Sequence, residues 1–394
     1  MFLLVATTVW TCINLYLALR LVTGVVAPER RRVAWGLVVV NIALLPAAFF
    51  AHIGGYLSTG PFFWIAYTAA GFTLTLFPLM AVKDLLLAPI VLFDKIKGYD
   101  RTGDFDPARR AILTGGANLA LLAAAGGMTG IGLATARSGP YPKTVDVPFP
   151  GLPPAFDGYR IVQISDTHFG PMVRGEYARR IVDIAMGFEP DLVAVTGDFA
   201  DGAVAELEPL LAPLRELAAP DGVYFITGNH EYYWDLTGWL FAVERLGMTL
   251  LLNDHRVVDR PGGRIVVAGI TDYTAGDHFP PHRSDPAKAV ADAPTDRDAT
   301  IFLAHQPRSA AAVAAAGADL ALFGHTHGGQ FFPWTLIVPR LHPVPLGLAR
   351  YGGMTTYVSA GTVYWGPPLR TFNPPEVTLL TLRSVGARMK KKGA

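Results

Sequence analysis

"LALFGHTHGGQ", residues 320–330, runs from four apolar residues into a glycine, two histidines two apart and a glycine pair. A short continuous apolar run bounded by glycine suits a strand buried on both faces of its sheet. Its histidines then stand at the carboxyl end, where open α/β sheets gather ligands. Gly324 would let the strand turn out of the sheet, and Gly328 with Gly329 would keep the rim of a site low. Taken alone the stretch is a weak signal, since a histidine beside a turn is more often structural than ligating.

Working outward, the same grammar recurs. "YRIVQISD" (159–166), "DLVAVTGD" (191–198), "GVYFITGN" (222–229), "RIVVAGIT" (264–271) and "TIFLAH" (300–305) are further strand candidates. Helical windows fall near residues 175–188, 203–217, 236–246 and 308–316, an α/β alternation. After residue 330 the helices stop, and "MTTYVSAG" (354–361) and "EVTLLTL" (376–382) predict two more strands.

Reading only the strand ends collects Asp166, His168, Asp198, Asn229, His230, His305, His325 and His327. Singly, each has a turn or cap explanation. Together, without His230, they make two carboxylates, one amide oxygen and four imidazoles with no thiolate, a donor set for Mn, Fe, Zn or Co. Seven groups exceed the needs of one four-coordinate ion and suffice for two ions sharing a carboxylate.

Before residue 137 the chain has a different character. The overall hydrophobic fraction is 51% and the charged fraction 16%. Most of that excess sits in apolar runs at Phe2 to Leu19, Val33 to Ile53, Pro61 to Val82 and Ala111 to Ala134. Each is close to the roughly 20 residues that cross a hydrocarbon core. Leu85 to Phe93 is too short to span alone and either extends the third helix, lies in the interface or makes a fifth. Repeated runs exclude a single cleaved signal peptide.

Arg30 to Arg32 in the first loop, and Lys83, Lys95, Lys97, Arg101, Arg109 and Arg110 in the third, contrast with none in the second. The positive-inside rule puts loops one and three in the cytoplasm and everything after Ala136 outside. Arg109-Arg110 before the last run resembles a twin-arginine export signal; ordinary positive-inside flanking accounts for the same residues. The lone Cys12 allows no internal disulfide, and a net charge of +1 gives no reason to expect nucleic acid. Few charges lie inside the spans, Arg20 being at a helix end, which weakens a transporter reading. The organisation is therefore a transmembrane domain over 1–136, a Pro-rich linker and first strand over 137–158, a catalytic domain over 159–385 and a basic tail over 386–394.

The order D-x-H, G-D, G-N-H-E, H, G-H-x-H between residues 166 and 327 resembles the calcineurin-like metallophosphoesterases. "DTHFG", "GHTHGGQ" and the membrane-bound N-terminus resemble the YkuE/YaeI-type subfamily. That resemblance implies a four-layer α/β/β/α sandwich, here preceded by an all-α transmembrane domain. It implies one metal on Asp166, His168, Asp198 and His327, and a second on Asp198, Asn229, His305 and His325, with Asp198 bridging. His230 would face substrate, binding a phosphate oxygen or protonating the leaving group. Two such ions would supply a hydroxide nucleophile at neutral pH.

The reaction implied is hydrolysis of a phosphodiester, pyrophosphate or phosphomonoester at the outer face of the plasma membrane, on a lipid-linked or envelope substrate. The alternative is a catalytically inactive membrane sensor or scaffold that binds metal or phospholipid. Glu231 is expected to support the ligands from behind, and His52, His255, His278, His282 and His342 to be surface residues. Arg370 and Glu376, in "PPLRTFNPPEV", belong to a segment like one in the same subfamily. "QFFPWTLIVPRLHPVPLG" (330–347) reads equally as a loop packed on the sheet or a lip facing lipid.

Overall fold

The computed structural model describes residues 2–54, 60–97 and 107–385. Most of the second loop, Arg101 and the tail with Lys390, Lys391 and Lys392 lie outside them. The chain divides into two compact units.

The first unit holds four long helices: α1 (Phe2–Gly24), α2 (Arg31–Ile53), α3 (Pro61–Lys97) and α4 (Pro107–Ser138). Four helical segments, Leu3–Gly24, Pro28–Ile53, Pro61–Pro89 and Thr114–Ser138, are long and apolar enough to cross a bilayer. Leu4, Val33, Leu37 and Leu86 point outward and exposed. Apolar side chains on both the inner and outer faces are what a hydrocarbon solvent selects. The chain is a membrane protein. Leu85 to Phe93 continues α3, whose 37 residues give a length of roughly 55 Å, well beyond one hydrocarbon thickness.

Inside this unit, Leu17, Leu76, Met80 and Ala125 form an apolar centre. Polar groups there find one another, since lipid offers no alternative partner. Asn41 Nδ2 donates to Asn14 Oδ1 at 2.6 Å and to Thr73 Oγ1 at 3.1 Å. Arg20 Nε lies 2.7 Å from Asp84 Oδ2, which also accepts from Tyr16 Oη at 2.6 Å. The helix-end Arg20 of the sequence is thus one half of an ion pair with α3. Phe331–Pro333 and Gly366–Thr371 also belong to this unit. Arg370 N donates to Gly132 O of α4 at 2.9 Å, and Leu369 packs against the bare Cα of Gly71 in α3.

The second unit carries twelve strands among the described residues. They are β1 (Tyr141–Pro150), β2 (Arg160–Ile164), β3 (Leu192–Thr196), β4 (Val223–Ile226), β5 (Thr249–Leu250), β6 (Asp254–Arg260), β7 (Gly263–Gly269), β8 (Ala299–Leu303), β9 (Leu320–Phe323), β10 (Gly347–Tyr351), β11 (Met354–Val358) and β12 (Glu376–Val385). They form two six-stranded sheets, ordered β1-β12-β2-β3-β4-β5 and β10-β11-β9-β8-β7-β6. Ile161, Ala194, Ile226, Val267, Leu303, Leu322 and Leu380 meet between the sheets in one dry layer.

Helix α5 (Gly175–Gly187) buries Ala178, Ile181, Val182 and Ala185, while Ala310 and Val313 of the helix Ala310–Ala315 join Val266, Phe302 and Phe323 on the second sheet's other face. Strands covered on both faces explain the unbroken apolar runs. The unit is a mixed α/β sandwich of the metallophosphoesterase kind, with helices outside each sheet.

The first strand expected within the Pro-rich stretch is β1, which pairs in parallel with β12 as an edge strand, a place where missing N–H donors are tolerated. Three strands escaped the sequence reading: the two-residue β5, an edge of the first sheet, and β6 and β10. Strands β6 and β10 are also edges, with few buried side chains, so no apolar run announces them. After residue 330 a turn of helix does occur, at Trp334–Ile337.

Candidate metal centre

Five strands deliver the predicted donors to one place. Asp166 and His168 follow β2, Asp198 follows β3, Asn229 and His230 follow β4, His305 follows β8, and His325 with His327 follow β9. Asp166, His168, Asp198, His325 and His327 all have positive φ, making five of the nine non-glycine residues so placed among those described. Left-handed backbone at such residues costs on the order of 1–3 kcal/mol each and concentrates where function demands it. Here it turns each side chain from the strand end into a common space.

Gly324 serves proximity. Its φ is not positive, and a Cβ there would stand 2.4 Å from Asp166 Oδ2 and 2.0 Å from Ser165 Oγ. The glycine therefore admits the carboxylate of the neighbouring sheet, whereas the sequence reading gave it a turning role. His325 N then donates to Asp166 Oδ1 at 2.9 Å, tying β9 to β2.

Three overlapping groups of donor atoms result: Asp166, His168 and His327; His168, Asp198 and His230; and Asp198, His305 and His325. His168 Nε2 and His327 Nε2 are 3.1 Å apart, with Asp166 Oδ1 3.5 Å from the latter. His305 Nε2 lies 3.1 Å from Asp198 Oδ2 and 3.2 Å from His325 Nδ1. Asp198 Oδ2 is also 3.8 Å from His168 Nε2, so this carboxylate stands between the two sides of the centre. Asn229 is buried, and its Oδ1 has no hydrogen-bond partner.

Divalent cations fit this arrangement. Imidazole nitrogens that face each other at about 3 Å repel unless a proton or cation lies between them, and an orphaned amide oxygen among them is an open ligand. His305 Nδ1 is 2.8 Å from the Thr196 carbonyl, which as acceptor leaves Nε2 free to ligate.

The electrostatics of the donor groups point the same way. Burial pushes the Asp198 carboxyl upward, but the neighbouring His305 and His230 outweigh it and hold the group well below the usual range. Asp166 is raised, chiefly by burial. Burial disfavours the His305 cation, yet Asp198 raises its pKa well above the ordinary imidazole value. His325 is pushed down to about 3 by burial and by the adjacent His305. Buried carboxylates, drawing protons onto imidazoles for want of other charge, are a cation site in the making.

Glu231 is almost wholly buried and accepts from three backbone N–H groups: Gly228, Phe199 at 2.7 Å and Asp198 at 3.2 Å. It pins the two turns that carry Asp198 and Asn229. Burial and the charge of Asp198 raise it to about 7.

Sequence reading missed Asp201. Its Oδ1 bonds His230 Nδ1 in a very short contact, its Oδ2 lies 3.1 Å from His168 Nδ1, and Trp234 Nε1 donates to it at 3.3 Å. One carboxylate thus orients the His168 and His230 rings together. "DFADG" reads as a plain turn, and the only available signal was an acid three residues after Asp198.

Among the remaining histidines, His278 is exposed, whereas His52, His255, His282 and His342 are half-buried, which corrects the surface expectation for these four. His255 Nδ1 meets Ala289 O at 2.9 Å, and His282 Nδ1 meets Tyr232 Oη at 3.0 Å, so tertiary contacts absorb their rings. Glu376 accepts from Tyr357 Oη at 2.6 Å and pairs with Lys143 Nζ at 2.7 Å, a structural knot at the start of β12. Arg370 lies fully buried in the helical unit.

With this geometry established, comparison with known proteins places the chain. Residues 159–329 match the calcineurin-like phosphoesterase family. The chain is 36% identical over 260 residues to a transmembrane protein with metallophosphoesterase domain from Danio rerio, covering 64% of this chain and 59% of that one. It is 31% identical over 245 residues to the uncharacterized metallophosphoesterase YkuE of Bacillus subtilis, covering 59% of this chain and 82% of that one. An uncharacterized metallophosphoesterase of Aquifex aeolicus is 30% identical over 229 residues, covering 58% of this chain and 86% of that one. Against the Danio rerio protein and its counterparts in worm and cattle, the match spans only 54% to 60% of their length. The extent of these matches shows the family: the chain belongs to the calcineurin-like phosphoesterase family.

Proposed function

We propose that this protein is a membrane-anchored hydrolase of phosphoric esters that works with two divalent cations, Mn, Fe, Zn or Co. The observation that carries this reading is the convergence of seven donor groups from five strand ends, including a buried Asn229 oxygen with no other partner. Asp166, His168, Asp198 and His327 would hold one ion, and Asp198, Asn229, His305 and His325 the other. When bound, the ions lower the proton affinity of water and draw charge from the phosphoryl oxygens. A neutral Asn ligand preserves the positive charge that this needs.

The chain's own groups supply the rest. Asp201 fixes the His230 ring through Nδ1, leaving Nε2, 3.9 Å from Asp198 Oδ2, to face a phosphate oxygen or the leaving oxygen. In the overall reaction the oxygen of water bonds to phosphorus, the ester P–O bond breaks, and the departing oxygen takes a proton. His230 is the proton source within reach. Glu231 holds the turns of β3 and β4 in register throughout.

The distribution of Lys and Arg over the loops supports an outer-face site, and tethering favours a phosphate compound of the membrane or envelope. The test is hydrolysis of bis-p-nitrophenyl phosphate by the full chain in detergent, stripped of metal and reloaded with each candidate ion. Turnover that returns with metal is expected. Bound metal with no turnover for any ion would leave a binding protein instead.

A further inference from the structure

We propose that an exposed apolar lip beside the metal centre lies in the headgroup region of the bilayer, and that the site's substrate is a phosphoester amphiphile whose tail stays in that bilayer. The inference rests on the hydrolase reading above and names its substrate class.

Among the exposed large apolar side chains of the sandwich unit are Trp334 (39%), Leu336 (53%), Ile337 (41%), Leu341 (71%), Trp365 (53%) and Phe372 (72%). They are far apart in sequence but bound to the rim of one site. A Cβ on Gly329 would stand 2.2 Å from Trp334 O, so the helical turn bearing Trp334, Leu336 and Ile337 sits directly on the backbone two residues after His327. Gln330 holds Trp365 in a double clasp, Nε2 donating to Trp365 O and Oε1 accepting from Trp365 N, each at 2.9 Å. The Trp365 ring centre is 5.5 Å from that of His230. Asn373, next to Phe372, donates to Gly328 O. The glycine pair after His327 is the seat of this lip, a tighter role than lowering a rim.

What covers the lip follows from the chain. Pro333, Gly366 and Thr371, the covalent neighbours of Trp334, Trp365 and Phe372, belong to the unit that holds the four spans. The same chain carries four helices long and apolar enough to cross a bilayer. Residues 330–347 contain one arginine and no acid, which suits an anionic phospholipid surface. Tryptophan and aliphatic side chains together are the composition of the interfacial belt. A phosphoester whose tail lies among these side chains presents its head to His230 without leaving the membrane.

The test uses the full chain in phosphatidylcholine vesicles with two esters of one leaving group. Hexadecyl p-nitrophenyl phosphate partitions into the bilayer, and methyl p-nitrophenyl phosphate stays in water. The hexadecyl ester should show kcat/KM higher by about 10-fold or more, because both partners share the surface. A Leu336→Glu, Ile337→Glu double variant should lose that advantage while hydrolysing the methyl ester at the wild-type rate. Equal rates for the two esters in the wild type, or an advantage that survives the double variant, would overturn the inference. Failure of both esters with every metal would instead overturn the hydrolase reading beneath it.

Should the double variant not fold, fluorescence decides. Lipids brominated near the headgroup should quench the wild type more than Trp334→Phe, and identical quenching of the two places the lip in water.

Discussion

The Asp201 carboxylate bonds His230 through Nδ1 and at the same time reaches His168, so one acid orients two imidazoles of the candidate site. The burial of Asp201 pushes its own pKa up, but the two imidazoles more than reverse this and hold it ionised. Asp201→Asn should leave the fold intact and lower turnover about 10- to 100-fold, the usual loss when an orienting partner of a metal site is removed. Steady-state kinetics with metal analysis checks it. Wild-type turnover would mean that the imidazoles hold themselves in place.

Asp198 is the carboxylate between the two donor groups. Asp198→Ala is expected to lose both cations, measured as metal per protein after gel filtration. A variant that keeps two equivalents would show that the ions do not share this ligand.

His230→Gln should retain the metals and slow turnover by about 100-fold or more, the typical contribution of a positioned proton donor. The loss should grow as the leaving group becomes more basic, because only a poor leaving group needs the proton. A uniform loss across a series of aryl esters would make His230 a phosphate-binding group.

The bare protein should also show a pH signature. Burial disfavours the His230 cation, but Asp201 and Asp198 raise its pKa to about 10, against roughly 6.5 in an unfolded chain. A raised folded pKa stabilises fully below pH 6.5 and loses that contribution as pH climbs towards 10. The chelated full chain should therefore melt progressively lower between those values, and His230→Gln should flatten the slope. Melting temperatures that agree in slope between the two proteins would refute the assignment.

Glu231→Ala would leave three buried N–H groups without acceptors. The expected cost is about 2 kcal/mol or more, since each unsatisfied buried donor carries a desolvation penalty. Differential scanning calorimetry of the metal-free protein reads it directly; an unchanged transition would mean that water replaces the carboxylate.

The candidate site was largely legible in the sequence because its donor residues sit at strand ends, where a buried apolar run stops and the next residue is polar. That signal is local. Gly324 was legible as a residue but not as a reason: its need comes from Asp166, 158 positions away and on the other sheet. His282 and His255 read as loop residues because the rings and carbonyls that absorb them lie 34 or more positions away in sequence.

Sequence by itself determined the four apolar spans, the α/β alternation and the eight strand-end residues. Each of these is a run length, a period or a residue type that physical chemistry reads one neighbourhood at a time. Tertiary structure alone decided that β1 pairs with β12, that Asp201 closes onto His230, and that Trp334, Trp365 and Phe372 flank one rim. Those outcomes depend on pairings between positions up to 235 apart, which leave no local period.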